Sequence, residues 1–238
     1  MRTKGYRFYC AFLFVLFLIV GFQSCRSISK ISSNKCSALL IIDVQNDFLP
    51  GGALEVKEGN KIVPVINAIQ RLFDFVVATK DWHPADHDSF AVMHRGKNIG
   101  DTITLYGEKQ VLWPEHCIQG GEGAEFPPQL KTSEIDEVFY KGQNKRVDSY
   151  SGFFDNRREQ DTGLGDYLKR NNVSDVYVAG LASDYCVKFT VLDALDLGFN
   201  VFVIADACRG VNLRKGDVGR AFEEMTEKGA NIILSKDL

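Results

Sequence analysis

The chain has 238 residues, which is long enough for one domain with a full hydrophobic core, and 45% of the residues are hydrophobic. Its formal net charge is −3 and its lysines and arginines form no basic block, so we exclude a nucleic-acid-binding protein. Six cysteines without a compact spacing do not indicate a disulfide framework in a chain of this size.

The N-terminal segment 1–25 differs from the rest of the chain. Three basic residues precede an apolar run at 8–22; this run of 15 residues is typical of a signal-peptide core but shorter than the roughly 20 of a membrane-spanning helix. We expect a lipoprotein-type signal in which Cys25 becomes the lipidated first residue; an uncleaved anchor and a plain apolar extension are the alternatives. The expected location is therefore membrane-associated or periplasmic, with a lipid anchor in the membrane, and the alternative is cytoplasmic. A polar linker at 26–36 leads to a domain at 37–238.

Short apolar runs alternate with helical patterns through the rest of the chain. Continuous apolar residues predict buried strands at 38–42, 75–78, 138–140, 176–179, 201–204 and 231–234. Apolar residues at helical spacing predict helices at 62–73, 187–195 and 218–225. This alternation predicts an α/β fold with a six-stranded parallel sheet, doubly wound in three α/β/α layers. Residues 82–135 hold most of the prolines and show weak periodicity, so we interpret them as a long insertion.

Charged and nucleophilic residues follow several predicted strands. The residues at those strand ends are Asp43, Asp81, Lys141, Cys186 and Asp206. In open α/β sheets, ligands bind beyond the carboxyl ends of the strands. Acids, a lysine and a cysteine in such places indicate a catalytic site.

Cys186 is the candidate nucleophile. We expect Ser183 or Asp184 to cap the helix that follows the fourth strand, which puts Cys186 in the first helical turn. The unpaired N–H groups and the dipole of that turn favour a thiolate, and the same N–H groups suit the oxyanion of a tetrahedral intermediate. A lone cysteine is also a frequent core residue, so a structural thiol is the alternative.

Asp43 and Lys141 are the candidate partners of the thiol. A carboxylate at a strand end can take the thiol proton and return it to a leaving amine. A lysine there can stabilise both the thiolate and the carboxylate and polarise developing negative charge. Taken singly, each residue has a structural alternative: Asp43 could be a turn or helix-cap residue, and Lys141 could be a solvated surface residue. Their occurrence together with Cys186 favours catalysis.

Three histidines lie in two short motifs that also hold an aspartate. Asp81 and His83 are two residues apart, so both can face one point, and His116 completes a set of one carboxylate and two imidazoles. Such a set suits one divalent metal ion, and the ligand types alone do not choose among Zn²⁺, Mn²⁺ and Fe²⁺, of which Zn²⁺ is our first expectation. A chance grouping of loop histidines is the other interpretation. His87 is either a fourth ligand or a group behind the ligands.

An aromatic ring would suit this arrangement as a substrate. An azine nitrogen is a good ligand for a borderline metal, so the ion can orient a pyridine while the cysteine supplies the nucleophile. Phe48 and Trp113 are candidates to sandwich the ring, and core packing is the alternative for both.

At these residues the chain resembles the nicotinamidase branch of the isochorismatase-like cysteine hydrolases. The matching segments are 43–48, 51–54, 81–84, 113–117, 141–142, 148–153 and 180–190, and in the family's order they cover about 38 to 235. The resemblance implies the isochorismatase-like fold and a metal-containing amidohydrolase. It further implies hydrolysis of nicotinamide to nicotinate and ammonia through a cysteine thioester, in NAD salvage, with related azine carboxamides such as pyrazinamide also cleaved.

The resemblance also implies roles for individual residues. The implied triad is Asp43, Lys141 and Cys186, and the implied metal ligands are Asp81, His83 and His116. The N–H groups of Ala182 and Cys186 would form an oxyanion hole, with a cis peptide between Leu181 and Ala182. Tyr150, in the matching segment 148–153, is expected to bind the substrate with Phe48 and Trp113.

Two other functions stay open at this stage. One is a related amidase acting on another small amide, a carbamoyl compound or isochorismate, but the isochorismate branch typically lacks the cysteine and other amidases lack the metal motif. The other is an inactive anchored protein that binds a pyridine or a metal. The presence of the acid, the lysine and the cysteine argues against it.

The signal-like N-terminus departs from a family that usually works in the cytosol. The oligomeric state is left open, a homo-oligomer included.

Overall fold

The computed structural model describes residues 35–238, so the predictions for the signal segment and Cys25 lie outside the described residues. In chain order the strands are β1 (Cys36–Ile42), β2 (Phe75–Asp81), β3 (Thr102–Leu105), β4 (Glu108–Val111), β5 (Glu137–Lys141), β6 (Val173–Leu181), β7 (Asn200–Arg209) and β8 (Asn231–Ile233). The α-helices are α1 (Ile62–Ile69), α2 (Leu164–Arg170), α3 (Cys186–Asp196) and α4 (Asp217–Glu227). None of the described helices is both long and apolar enough to span a bilayer.

Six strands form one parallel sheet in the order β5-β2-β1-β6-β7-β8. From β1 the chain moves outward through β2 to β5, then crosses to β6 and continues to β8. The connections therefore diverge between the neighbouring strands β1 and β6, and such a switch point opens a crevice at the carboxyl ends of the strands. The predicted six-stranded, doubly wound parallel sheet is confirmed.

Strand β1 runs through the middle of the core. Its residues Ala38–Ile42 are fully buried. Leu40 packs in the cluster that contains Val187 of α3, whereas Leu39 packs in the cluster that contains Ile62 of α1. Alternate residues of a strand point to opposite faces, so the continuous apolar run reflects a sheet covered by helices on both sides.

The sequence pattern did not predict two elements of the structure, helix α2 and the β3–β4 hairpin. Helix α2 has seven residues and buries only Leu164 and Leu168, too few positions to show a helical period. Strands β3 and β4 form an antiparallel hairpin inside the predicted insertion, joined by Tyr106 and Gly107, which both have positive φ. A two-residue turn of that kind matches the twist of a hairpin, but Tyr-Gly lacks the asparagine or aspartate that usually marks such a turn in a sequence.

Candidate active site

The carboxyl edge of the sheet brings the predicted side chains together. Asp43 directly follows β1, Asp81 ends β2, Lys141 ends β5, and Cys186 is the first residue of α3. Asp81 and Lys141 are paired in the sheet register. One carboxylate oxygen from each of Asp43 and Asp81 lies with the Cys186 sulfur in a group whose atoms are within 4.8 Å of one another.

Lys141 is the centre of this group. Its Nζ lies 2.8 Å from Asp43 Oδ2 and 3.4 Å from Cys186 Sγ, and it donates hydrogen bonds to Asp81 Oδ1 and, at 2.9 Å, to the Ser149 carbonyl. Burial alone would lower the pKa of Lys141, but the carboxylates of Asp43 and Asp81 outweigh burial and hold the pKa well above its ordinary value. The cation is therefore permanent, and it is not the solvated surface lysine of the alternative interpretation.

Asp43 is placed to act as a base. Its side chain is fully buried, and burial raises the pKa of Asp43 to about 6 although Lys141 opposes the shift. Oδ1 accepts a hydrogen bond of 2.6 Å from the Thr79 hydroxyl, and a carboxylate oxygen of Asp43 lies within 4.8 Å of the Cys186 sulfur. At pH 7 this carboxylate is mostly ionised, and its pKa is close enough to neutrality to release a proton again.

Cys186 is a neutral thiol at rest. Burial raises the pKa of Cys186 well above its ordinary value, and the charge of Lys141 opposes this only in part. The first turn of α3 favours a thiolate, as expected from its position, but desolvation outweighs that preference. Attack on a carbonyl therefore requires a base to remove the thiol proton.

The predicted cap of this helix is wrong. Tyr185 precedes α3 without any side-chain capping bond. The Asp184 carboxylate instead accepts the backbone N–H groups of Val211 and Asn212, at 2.9 and 2.6 Å, and so fastens the loop after β7. Asp206 also lies apart from the catalytic group, because its carboxylate accepts hydrogen bonds from Ser235.

Asp81, His83 and His116 form a cluster beside the thiol. The Nε2 atoms of the two histidines lie 3.8 and 3.9 Å from the Asp81 carboxylate oxygens. His83 Nδ1 is 3.0 Å from the Gly142 carbonyl and His116 Nδ1 is 2.8 Å from the Pro114 carbonyl. A carbonyl oxygen only accepts hydrogen bonds, so each Nδ1 carries the proton and each Nε2 presents its lone pair to Asp81.

This donor set fits a divalent metal ion. Burial lowers the pKa of His83 to about 3 and that of His116 to about 4, so both rings are neutral at pH 7 and can bind a cation. Backbone carbonyls that orient the far side of each imidazole are the usual support of a metal site. One carboxylate and two imidazoles leave coordination positions open for a ligand.

His87 lies beside this cluster, with its ring centroid 4.5 Å from that of His83. Its Nδ1 accepts the backbone N–H of Ser89 at 3.2 Å, and the Ser89 hydroxyl is 2.7 Å away. An imidazole nitrogen that accepts is unprotonated, so Nε2 carries the ring proton. Nε2 is buried without a hydrogen-bond partner among the described residues, in a group with His83 and Asp148. His87 therefore offers an N–H donor next to His83 and Asp148.

A compact cavity joins the thiol to the cluster. Besides Asp81, His116 and Cys186, its lining residues are Phe48, Leu54, Trp113, Asp148, Tyr150, Ala182, Tyr185 and Val211. The Trp113 indole donates to the Tyr150 hydroxyl at 3.2 Å and packs edge-on against Tyr185, with ring centroids 4.8 Å apart. The walls are thus flat aromatic surfaces that suit a planar ring. The peptide bond between Leu181 and Ala182 is cis, as the family resemblance implies.

Three contributors to this region were missed from the sequence. Tyr185 lines the cavity, Thr79 binds Asp43, and Gln110 donates to Asp148 at 2.8 Å and to the Tyr150 hydroxyl at 3.2 Å. Thr79 follows the predicted strand 75–78, and Gln110 belongs to the hairpin that the sequence did not predict, so neither had a local signal of its role. The position of Tyr185 next to the candidate nucleophile was the one available clue.

The fold and the site together define a cysteine-dependent hydrolase on a doubly wound parallel sheet, with a metal-ligand cluster beside its thiol. Residues 37–237 match the isochorismatase domain. The chain belongs to that family, and the resemblance seen in the sequence is confirmed.

Several known relatives within this family are similar to the chain over most of its length. The nicotinamidase of Escherichia coli (strain K12) is 50% identical over 204 residues, covering 84% of this chain and 95% of the relative. A solved nicotinamidase and pyrazinamidase of Acinetobacter baumanii is 45% identical, with a TM-score of 0.83 over 85% of this chain and 98% of that one. The pyrazinamidase of Pyrococcus horikoshii in complex with zinc is 39% identical, with a TM-score of 0.68 over 83% of this chain and 98% of that one.

Proposed function

We propose that this protein hydrolyses nicotinamide to nicotinate and ammonia through a thioester on Cys186, and that it also cleaves pyrazinamide. The observation that carries the proposal is the Asp43, Lys141 and Cys186 group, which opens into the cavity walled by Phe48 and Trp113. The similarity to nicotinamidases over nearly their whole length supports it.

Asp81, His83 and His116 are proposed to hold one divalent metal ion. Zn²⁺ is the first candidate, supported by the zinc complex of the Pyrococcus horikoshii relative, and Mn²⁺ or Fe²⁺ would suit the same donors. When bound, the ion supplies an open coordination position for the nitrogen of a pyridine ring. Phe48, Trp113 and Tyr150 are proposed to bind the faces and edge of that ring, which leaves its carboxamide facing the thiol.

Acylation begins with proton transfer inside the triad. As Cys186 Sγ attacks the carboxamide carbon, the thiol proton moves to the Asp43 carboxylate, and the C–S bond forms. Lys141 stays protonated beside both groups and stabilises the growing charge. The oxyanion is proposed to lie against the N–H groups of Ala182 and Cys186. Both residues line the cavity, and the N–H of Cys186, at the start of α3, lacks an intrahelical acceptor.

Ammonia leaves when the tetrahedral intermediate collapses. Asp43 returns its proton to the departing nitrogen, the C–N bond breaks, and the nicotinoyl thioester remains on Cys186. Water then attacks the thioester carbon while Asp43 accepts one of its protons. The C–S bond breaks, Cys186 regains a proton from Asp43, and nicotinate is released. A base with a pKa about one unit below neutrality can serve in both directions.

Ammonia and nicotinate release from nicotinamide tests the proposal. The wild-type chain, loaded with Zn²⁺ or Mn²⁺, should turn over nicotinamide and pyrazinamide, and Cys186→Ala should lose at least about a thousandfold in kcat. Cys208→Ala removes a buried thiol elsewhere and serves as the matched control, with activity near that of wild type. A wild-type rate no higher than that of Cys186→Ala at saturating substrate would refute the proposal.

For the N-terminus we keep the proposal that segment 1–25 is a lipoprotein-type signal that directs the enzyme to a membrane. Its support is the basic start, the apolar run and the position of Cys25. Labelling of growing cells with an acyl precursor should mark the wild-type chain and leave Cys25→Ala unlabelled. Equal labelling of the two chains would exclude lipidation at Cys25.

A further inference from the structure

The Thr79 hydroxyl forms two hydrogen bonds with a single residue, Asp43. It donates to the Asp43 carboxylate oxygen Oδ1 at 2.6 Å, and it accepts the backbone N–H of Asp43 at 3.2 Å. The two residues belong to neighbouring strand ends and are both fully buried. The hydroxyl therefore ties the carboxylate to the main chain of its own residue, so the side chain of Asp43 has one orientation relative to the sheet.

The other side of Thr79 is also confined. A Cβ atom built on Gly152 would lie 3.0 Å from Thr79 Cγ2, so Gly152 leaves just enough space for the threonine methyl group. The same Gly152 donates its N–H to the Thr190 hydroxyl, which in turn donates to the Cys186 carbonyl at 2.6 Å. The segment around Gly152 thus limits the rotation of Thr79 while it supports the nucleophile's own helix.

We propose that Thr79 is a positioning residue that holds one oxygen of the Asp43 carboxylate and so aims the other, which is paired with Lys141, at the Cys186 thiol. This inference rests on the proposed function, since it assigns Asp43 the role of base. Oδ1 is held by Thr79 and Oδ2 is paired with Lys141, and a carboxylate oxygen of Asp43 lies within 4.8 Å of the Cys186 sulfur. Three further groups act on Asp43 from the surrounding elements: Lys141 on β5, Asp81 on β2 and Cys186 on α3.

The orientation of Asp43 depends on the hydroxyl of Thr79, because a side chain of the same shape without a hydroxyl cannot hold the carboxylate. Valine has the same outline as threonine but can neither donate to Oδ1 nor accept the Asp43 N–H. The carboxylate of Asp43 could then rotate, which would make the proton transfer from the thiol longer and less well aligned. Such misplacement of a reacting group lowers the rate without weakening the binding of the ring. Serine keeps the hydroxyl and should restore the orientation.

The test compares Thr79→Val and Thr79→Ser with wild type, using zinc-loaded protein and nicotinamide. Thr79→Val should lower kcat by about tenfold to a hundredfold while KM changes by less than about twofold. Thr79→Ser should recover most of kcat. Thr226→Val makes the same change on the exposed surface of α4 and should behave as wild type. If Thr79→Val fails to fold, Thr79→Ala, judged by circular dichroism and metal content, takes its place.

A second measurement does not depend on the substrate. Iodoacetamide alkylates Cys186 by forming a C–S bond as iodide leaves and the thiol proton passes to Asp43, and mass spectrometry gives the rate at pH 7. Thr79→Val should slow this step toward the rate of Asp43→Asn, and Thr79→Ser should not. Unchanged alkylation and kcat in Thr79→Val, or no rescue by serine, would overturn the proposal. An inactive wild type would instead refute nicotinamide hydrolysis, and the alkylation rates would still decide the role of Thr79.

Discussion

Replacing Lys141 by methionine is the most informative perturbation of the site. The substitution nearly keeps the length of the side chain and removes the cation that, among residues 35–238, contacts both Asp43 and Asp81. Those carboxylates approach within 4.8 Å of each other in a buried site, so without Lys141 two like charges face each other with little water between them. Breaking a buried ion pair in this way costs about 3–5 kcal/mol of unfolding free energy.

A surface lysine provides the matched control. Lys145 forms a 2.6 Å ion pair with Asp86, but both side chains are about half exposed, at 46% and 58%. Exposed pairs contribute at most about 1 kcal/mol, so Lys145→Met should hardly change stability. Urea denaturation of metal-free protein should therefore show a loss for Lys141→Met that is several times larger.

A bound metal ion should reduce the stability loss that Lys141→Met causes. A divalent ion held by Asp81 compensates part of the charge that Lys141→Met leaves behind, so the loss should be smaller in the metal-loaded protein. Turnover of nicotinamide should fall to the level of Cys186→Ala in either case, because the charge that develops on the thiol and the oxyanion then lacks the cation that stabilises it. Equal stability losses for Lys141→Met and Lys145→Met would refute the assigned role of the buried cation.

Three further outcomes follow from the same geometry. Because Asp43 acts as a base only when ionised and its pKa is about 6, kcat/KM should fall about tenfold for each pH unit below 6 and level off above 7; a flat profile down to pH 5 would contradict this assignment. His116→Ala should reduce bound metal from about one ion per chain to nearly none by elemental analysis, whereas His94→Ala, whose imidazole contacts the Asp88 carbonyl, should retain it. Trp113→Leu should raise KM about threefold to tenfold with a smaller change in kcat, and an unchanged KM would remove Trp113 from the ring site.

Much of the architecture was readable from the sequence because its signals are local. A strand covered on both faces needs a continuous apolar run, and the run at 38–42 is the central strand β1. Helix α2 and the β3–β4 hairpin were not found, since one buries only two residues and the other is mostly exposed. Local periodicity reports burial, and these elements have little of it.

The residue types of the site could be predicted from the sequence, but their protonation and their hydrogen-bond partners could not. A cysteine, two acids, a lysine and histidines after successive strands specify the chemistry, because parallel strands end at one edge. Only the tertiary structure decided that Cys186 rests as a neutral thiol, since desolvation depends on what the rest of the fold packs around it. Packing likewise decided that Asp184 fastens a loop, that His87 presents an N–H, and that Thr79 holds Asp43. These outcomes depend on contacts between residues far apart in the chain, and hydrogen-bond partners at that separation leave no local pattern.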